Sequence, residues 1–111
     1  MNKIYWRVSY NGIGIYQALK NEIWNKCEFP KKEWDVLKNS ESFMWLNTPP
    51  FYNENCYSYF TELGYELFVK NTYPIFVKYL DEKNIIVDKF IFDDTKLNLV
   101  YNDEHQIVIK Q

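Results

Sequence analysis

The 111-residue chain predicts an α+β fold, a single domain over residues 1–111. A mostly antiparallel sheet is expected from the N-terminal strand and the C-terminal strands, with helices from the middle of the chain packed on it. Three observations carry this reading. Residues 4–10 alternate with a period of two, the middle of the chain repeats its apolar residues at helical spacing, and from Ile85 onward the sequence becomes β-branched and aromatic.

In the first strand Ile4, Trp6, Val8 and Tyr10 share one face, and Tyr5, Arg7 and Ser9 the other. Asn11-Gly12-Ile13-Gly14 then leads into a helix expected from Ile15 to Asn25, with Ile15, Ala18, Leu19 and Ile23 as its apolar stripe. Pro30 is suited to a first helical position, and a short helix to Lys38 carries Trp34 and Leu37 on one side. Asn39 to Ser42 supplies capping and turn residues before the aromatic cluster Phe43 to Leu46. Pro49-Pro50 stops any helix, and a loop is expected from Pro49 to Asn55.

Cys56 to Phe60 reads as a short strand or as an extended entry to the next helix. Thr61 is the expected N-cap of that helix, Glu62 lies in its first turn, and Gly64 is tolerated near its start. Pro74 interrupts the pattern of Leu63, Leu67 and Phe68, so two helices are favoured over one kinked helix, the second carrying Ile75, Phe76, Tyr79 and Leu80. Strands are expected at residues 85–92, 97–101 and 106–110, with a turn at 93–96 and a turn or bulge at 102–105.

Composition narrows the classes of function. With 47% hydrophobic and 20% aromatic residues the chain is not a disordered one. Thirteen basic and fifteen acidic residues, without a basic stripe, argue against duplex nucleic acid as a partner and leave open a single-strand site built on stacking rings. Met1 is followed by a strand and not by a leader, and no apolar run approaches the ~20 residues that cross a bilayer, so a soluble, cytoplasmic protein with no membrane partner is expected. Cys27 and Cys56 lie in unrelated contexts without CxxC spacing. A zinc site would need both of them, His105 and a carboxylate, so free thiols and no metal are the expectation.

Four features can carry chemistry. Arg7 in mid-strand, with Ser9 on the same face, suits a bidentate grip on phosphate or carboxylate, or else a solvated charge paired with Asp88 or Glu104. Gly12-x-Gly14 before a helix can seat an anion, although it lacks the third glycine of the dinucleotide motif and the Gly-Lys-Ser/Thr of the P-loop. Glu104-His105-Gln106 is the densest polar run and holds the single histidine, otherwise a polar hairpin tip. Tyr57, Tyr59, Phe60 and the rings that follow can stack a base or anchor a protein. No elbow surrounds either cysteine, which argues against a nucleophilic triad.

Three of these segments together resemble small ADP-ribosyltransferase-like domains. Tyr5-Trp6-Arg7-Val8-Ser9 is similar to their first strand, Ser58-Tyr59-Phe60-Thr61 to the polar position entering a later strand and helix, and Asp103-Glu104-His105-Gln106-Ile107-Val108 to the segment of their catalytic glutamate. The order along the chain agrees. The resemblance implies NAD as cofactor, bound in a cleft between two small sheets, with Arg7, Ser9, Tyr59, Thr61 and Gln106 binding it and with Arg7 and Glu104 catalytic. Arg7 would grip the pyrophosphate, and Glu104 would stabilise oxocarbenium charge or orient the attacking group. The family's Glu-x-Glu or Gln-x-Glu pair is not reproduced, because Gln106 stands where the second glutamate belongs. Glu104 must therefore serve from a shifted register, or the domain binds without transferring. This reading requires Arg7, Thr61 and Glu104 to converge in one concave site. The alternative is a non-catalytic interaction or regulatory module that uses exposed Trp and Tyr as anchors, so the partner is either a small-molecule nucleotide or another protein.

Overall fold

The computed structural model describes residues 2–47 and 56–110. A curled antiparallel sheet carries helices packed against it. In chain order the elements are β1 (Asn2–Tyr10), β2 (Ile13–Gly14), α1 (Ile15–Lys26), α2 (Pro30–Lys38), α3 (Glu41–Met44), β3 (Cys56–Thr61), α4 (Glu62–Leu67), α5 (Tyr73–Tyr79), β4 (Ile85–Asp93), β5 (Leu99–Asn102) and β6 (Gln106–Lys110). The loop expected at Pro49 to Asn55 lies outside the described residues.

β1 is the strand from which the sheet is built. β4 runs antiparallel along its whole length, from Asn2↔Asp93 to Tyr10↔Ile85. Its other edge is shared between β3, at Tyr5↔Thr61 and Trp6↔Phe60, and β2, at Ser9↔Gly14 and Tyr10↔Ile13. β3 continues to β6 and β6 to β5, all antiparallel. Cys56–Thr61 is thus an internal strand and not merely an entry to the next helix. The two ends of the chain share one sheet, as expected, with this middle strand between them.

β2 corrects the reading of Asn11 to Gly14 as a plain strand-to-helix connection. Asn11 and Gly12 have φ of 50° and 84°, the left-handed geometry of a two-residue hairpin turn. Because the chain reverses before α1 starts, β2 occupies the edge of β1 that β3 holds further back.

Both faces of the sheet bury apolar groups. Val8 and Phe60 pack under the helices with Ile15, Leu19, Phe68 and Phe76, while Trp6 and Tyr10 border that core. On the other face Tyr5, Tyr59, Ile107 and Ile109 form a second cluster with Phe90 and Phe92 from β4 and Leu99 from β5. The curl of the sheet brings the outer strands over the middle ones on that side, so Tyr5 is only 4% exposed.

The expected stripe of α1 is the buried one: Ile15, Ala18, Leu19 and Ile23. Pro30 opens α2 as expected, and Tyr79 on α5 donates to Glu33 Oε1 at 2.6 Å, tying the two helices together. That bond, with burial, pushes the Tyr79 phenol up to about 12. Pro74 does not break the chain into two helices. Helical conformation continues from Glu62 to Tyr79, and Phe68–Thr72 forms one π turn between α4 and α5. A π turn widens the ladder where proline offers no N–H and crowds the preceding carbonyls. Thr72, fully buried in it, donates to Ser42 O and accepts from Trp45 Nε1 at 2.8 Å.

Thr61 is the N-cap of α4, as expected. Its Oγ1 accepts from Gly64 N at 3.1 Å and donates to Glu104 O at 2.6 Å. Thr61→Ala is expected to lower stability by about 1–2 kcal/mol, since it removes both the cap and the bond to the β5–β6 turn. Thermal melting followed by circular dichroism measures the loss. Of the turn or bulge expected at 102–105, the structure has the turn, between β5 and β6, and a register shift lies within β5, between Leu99 and Tyr101.

Candidate functional site

The shared edge of β1 creates the site. β3 pairs with β1 only as far as Trp6↔Phe60, and three residues on, β2 has taken the edge at Ser9↔Gly14. β3 must therefore peel away from Arg7 onward. The wedge between β1–β2 and β3 opens into a cleft of about 980 Å³, walled by α1 and α2 on one side and by β3 and β6 on the other.

Arg7 spans this wedge. Its Nη1 donates to Ser58 O at 3.2 Å, which satisfies a carbonyl left without a ladder partner where the strands diverge. The guanidinium lies 5.2 Å from the centroid of the Tyr57 ring and 5.9 Å from that of Tyr59. Its Nη2 sits beside Gly14, 3.9 Å from where a Cβ would stand. Asp88 is the register partner of Arg7 on β4, but the guanidinium turns the other way, and among the described residues no carboxylate forms an ion pair with it. A half-buried cation whose protein contacts are a carbonyl and two rings has room for a bound anion. Burial pushes the Tyr59 phenol up, and the Arg7 charge pulls it the other way.

The opposite end of the cleft is set by the β5–β6 turn. Asp103 Oδ1 accepts from the backbone N–H groups of His105 at 2.8 Å and Gln106 at 2.9 Å. Its Oδ2 accepts from Tyr101 OH at 2.6 Å and from Asn47 Nδ2 at 3.4 Å. Burial alone would raise this carboxyl, but the four hydrogen bonds outweigh it and hold Asp103 below the usual carboxylate range. Gln106, 4% exposed, donates its amide to Asn47 O. Asp103 and Gln106 together fix Asn47, itself part of the cleft wall.

Arg7, Tyr59 and Gln106 each line this cleft, one from each of the three adjacent strands β1, β3 and β6, with Gln106 opposite Phe60 in register. Ser9, Thr61 and Glu104 are not part of the cleft lining. Ser9 faces Gly14 and Ile86 across its two ladders, and Thr61 serves α4. The Glu104 side chain is 75% exposed in the turn, its Oε1 3.8 Å from His105 Nε2, and His105 packs edge-on against Trp45. Of the three residues expected to converge, only Arg7 lines the cleft, while Thr61 and Glu104 lie beside each other at the turn.

The cleft's charged lining is of one sign. Arg7, Lys20 and Lys38 line it, and among the described residues no aspartate or glutamate does, in a chain whose formal net charge is −2. Lys20 and Lys38 were not distinguished in the sequence from other surface lysines. The signal that would have found them is the pairing of the α1 stripe with the Asn-Gly hairpin, which together turn that wall toward β3. A second hollow, about 800 Å³ beside α2 at Phe29 and Val36, includes none of the sequence-predicted residues.

Among the described residues there is no group of three His, Cys, Asp or Glu side chains arranged to hold a metal, and Cys27 and Cys56 are free thiols. No helix among them is long and apolar enough to cross a membrane. Comparison with models of known protein families, with characterised proteins and with solved structures finds no match to this chain.

Proposed function

We propose that the cleft binds a phosphorylated nucleotide, and specifically NAD, in the manner of the ADP-ribosyltransferase-like domains that the strand segments resemble. The observation that carries this reading is the half-buried Arg7 guanidinium, which has no carboxylate partner among the described residues and is flanked by two tyrosine rings. A pyrophosphate supplies the missing countercharge through a bidentate grip, and the exposed ring of Tyr57 offers a surface for a base. Gln106 contributes a neutral amide at the position where the resemblance expects a carboxylate. Glycosidic cleavage passes through positive charge at the ribosyl carbon, so transfer requires an anionic group nearby. In this reading Glu104, reaching back from the turn, is the residue that supplies it.

Titration calorimetry with NAD, followed by chromatography for released nicotinamide, tests both parts. NAD is expected to bind in the millimolar range or tighter, and Arg7→Ala to weaken it about tenfold or more, the loss of one charge-assisted contact. Absence of binding at millimolar NAD removes the proposal. Binding without nicotinamide release leaves a nucleotide-binding domain and removes Glu104 from catalysis. The exposed Phe29 and Val36, at 66% and 64%, favour the second reading of a protein-interaction module, whose anchors would then be on α2 and not at the cleft.

A further inference from the structure

The helical wall of the cleft faces the Arg7 seat and is built differently from it. Lys20 on α1 and Lys38 at the end of α2 supply charge, while Trp34 and Met44 supply apolar surface between them. Met44 is 65% exposed although it is a large apolar side chain beside a cavity. Lys20 rests 5.4 Å from the centroid of the Trp24 ring, and Lys38 lies 3.4 Å from Asp35 in an exposed pair. Such a contact holds a lysine weakly and yields to a better anion. Two cations on neighbouring helices with stackable surface between them, in an acidic chain, form the pattern that tracks a single strand: phosphates on the charges and bases on the rings. The cleft, near the top of the roughly 300–1,000 Å³ range of small-molecule pockets, has room beyond the Arg7 seat.

We infer that the Lys20–Trp34–Met44–Lys38 wall is a second subsite, which takes the phosphate-bearing end of a single-stranded nucleic acid and presents it to the nucleotide held at Arg7. The inference rests on the cleft being the ligand site, but it uses the wall opposite Arg7, so the two can fail separately. Duplex is not accommodated, because the wall offers two charges within a wedge and not a stripe along a surface.

The test is fluorescence anisotropy of a 5′-phosphorylated, 3′-labelled single-stranded DNA of about six nucleotides, within the usual site size of such grooves, over a series of salt concentrations. The strand is expected to bind at low salt, and an unlabelled duplex of the same sequence to compete at least tenfold less well. Lys20→Glu/Lys38→Glu is expected to weaken strand binding by tenfold or more. Lys20→Gln/Lys38→Gln should flatten the slope of log affinity against log salt by about 1.4, from about 0.7 per phosphate contact on a single strand. Arg7→Ala is expected to leave strand binding within twofold while weakening NAD binding about tenfold or more. All three lysine and arginine variants are checked against the wild-type melting curve. A strand that fails to bind at low salt, or that binds the folded lysine variants as well as the wild type, overturns the inference. Strand binding that disappears with Arg7→Ala alone also overturns it, because the phosphates would then sit on the Arg7 seat. Absence of NAD binding to the wild-type protein, with lysine-dependent strand binding present, refutes the NAD proposal and supports this one.

Discussion

Gly64→Ala is expected to destabilise the protein by about 3 kcal/mol or more, the upper part of the range for overpacked sites. A Cβ at this position would stand 1.9 Å from the carbonyl oxygen of His105 and 2.8 Å from its carbonyl carbon. Both atoms are backbone, so no side chain can swing aside. The same His105 oxygen accepts from Thr61 N at 3.0 Å, and Thr61 Oγ1 bonds Glu104 O. Relief of the clash must therefore pull the first turn of α4 away from the β5–β6 turn and break the contacts that align β3 with β6. For a domain of this size the loss corresponds to a fall in melting temperature of roughly 10–20 °C. A variant that melts within about 2 °C of the wild type would show that α4 and the β5–β6 turn are not in close contact. Since glycine is otherwise a poor helix residue, the same substitution in an open helix would have been stabilising by about 1 kcal/mol, and the sign of the effect is diagnostic.

Asp103→Ala is expected to cost about 3 kcal/mol, because it leaves the N–H groups of His105 and Gln106 and the Tyr101 hydroxyl without an ionised acceptor in a half-buried turn. Asp103→Asn preserves the shape and one accepting oxygen, so it separates charge from packing. The carboxyl is held below its ordinary value of 3.8 in the folded state. The unfolded chain therefore takes up the proton first as the pH falls. The contribution of Asp103 is fully present above the unfolded value and is lost as the pH drops through the lower, folded one. Melting temperature measured from pH 7 down to about pH 3 should fall less steeply for Asp103→Asn than for the wild type, while Asp103→Ala is low throughout. Parallel acid limbs for wild type and Asp103→Asn would refute the assignment. Because Asp103 also bonds Asn47, and Gln106 holds the Asn47 carbonyl, loss of this carboxylate should loosen the cleft wall as well as the turn.

Much of the local structure was legible. Alternation places Trp6, Val8 and Tyr10 on one face of β1 because successive side chains of a strand must point oppositely, and the stripe of α1 follows from helical period. Pro30 and Thr61 mark helix starts through properties of their own: a fixed φ in one, a short hydroxyl in the other. Pro74 misled because its cost depends on the ladder around it. A π turn, stabilised by buried Thr72 bonding to Ser42 and Trp45, absorbs the proline without breaking the helix. Asn11-Gly12 is a strong hairpin-turn signal in the sequence, but Gly12 and Gly14 before a helix also fit an anion seat, and only the pairing of β2 with β1 separates the two.

The candidate site was only partly legible for a related reason. Arg7, Tyr59 and Gln106 stand out by residue type within three strand-like segments, and the sheet brings those strands together. That Glu104 lies outside and that two lysines lie inside depends on where β3 leaves β1, which no stretch of neighbours encodes.

By itself the sequence determined most of the longer strands and helices, the apolar side of β1 and α1, and that an arginine sits in the middle of the first strand. Only the tertiary structure decided that Cys56–Thr61 is a central strand, that Gly64 must lack a side chain, and that the cleft carries cations alone among its described charged residues. The division follows from range. Period, capping and turn geometry act between residues a few positions apart, whereas two strands competing for one edge of β1 is a contest between segments some fifty residues apart, settled by packing of the whole sheet.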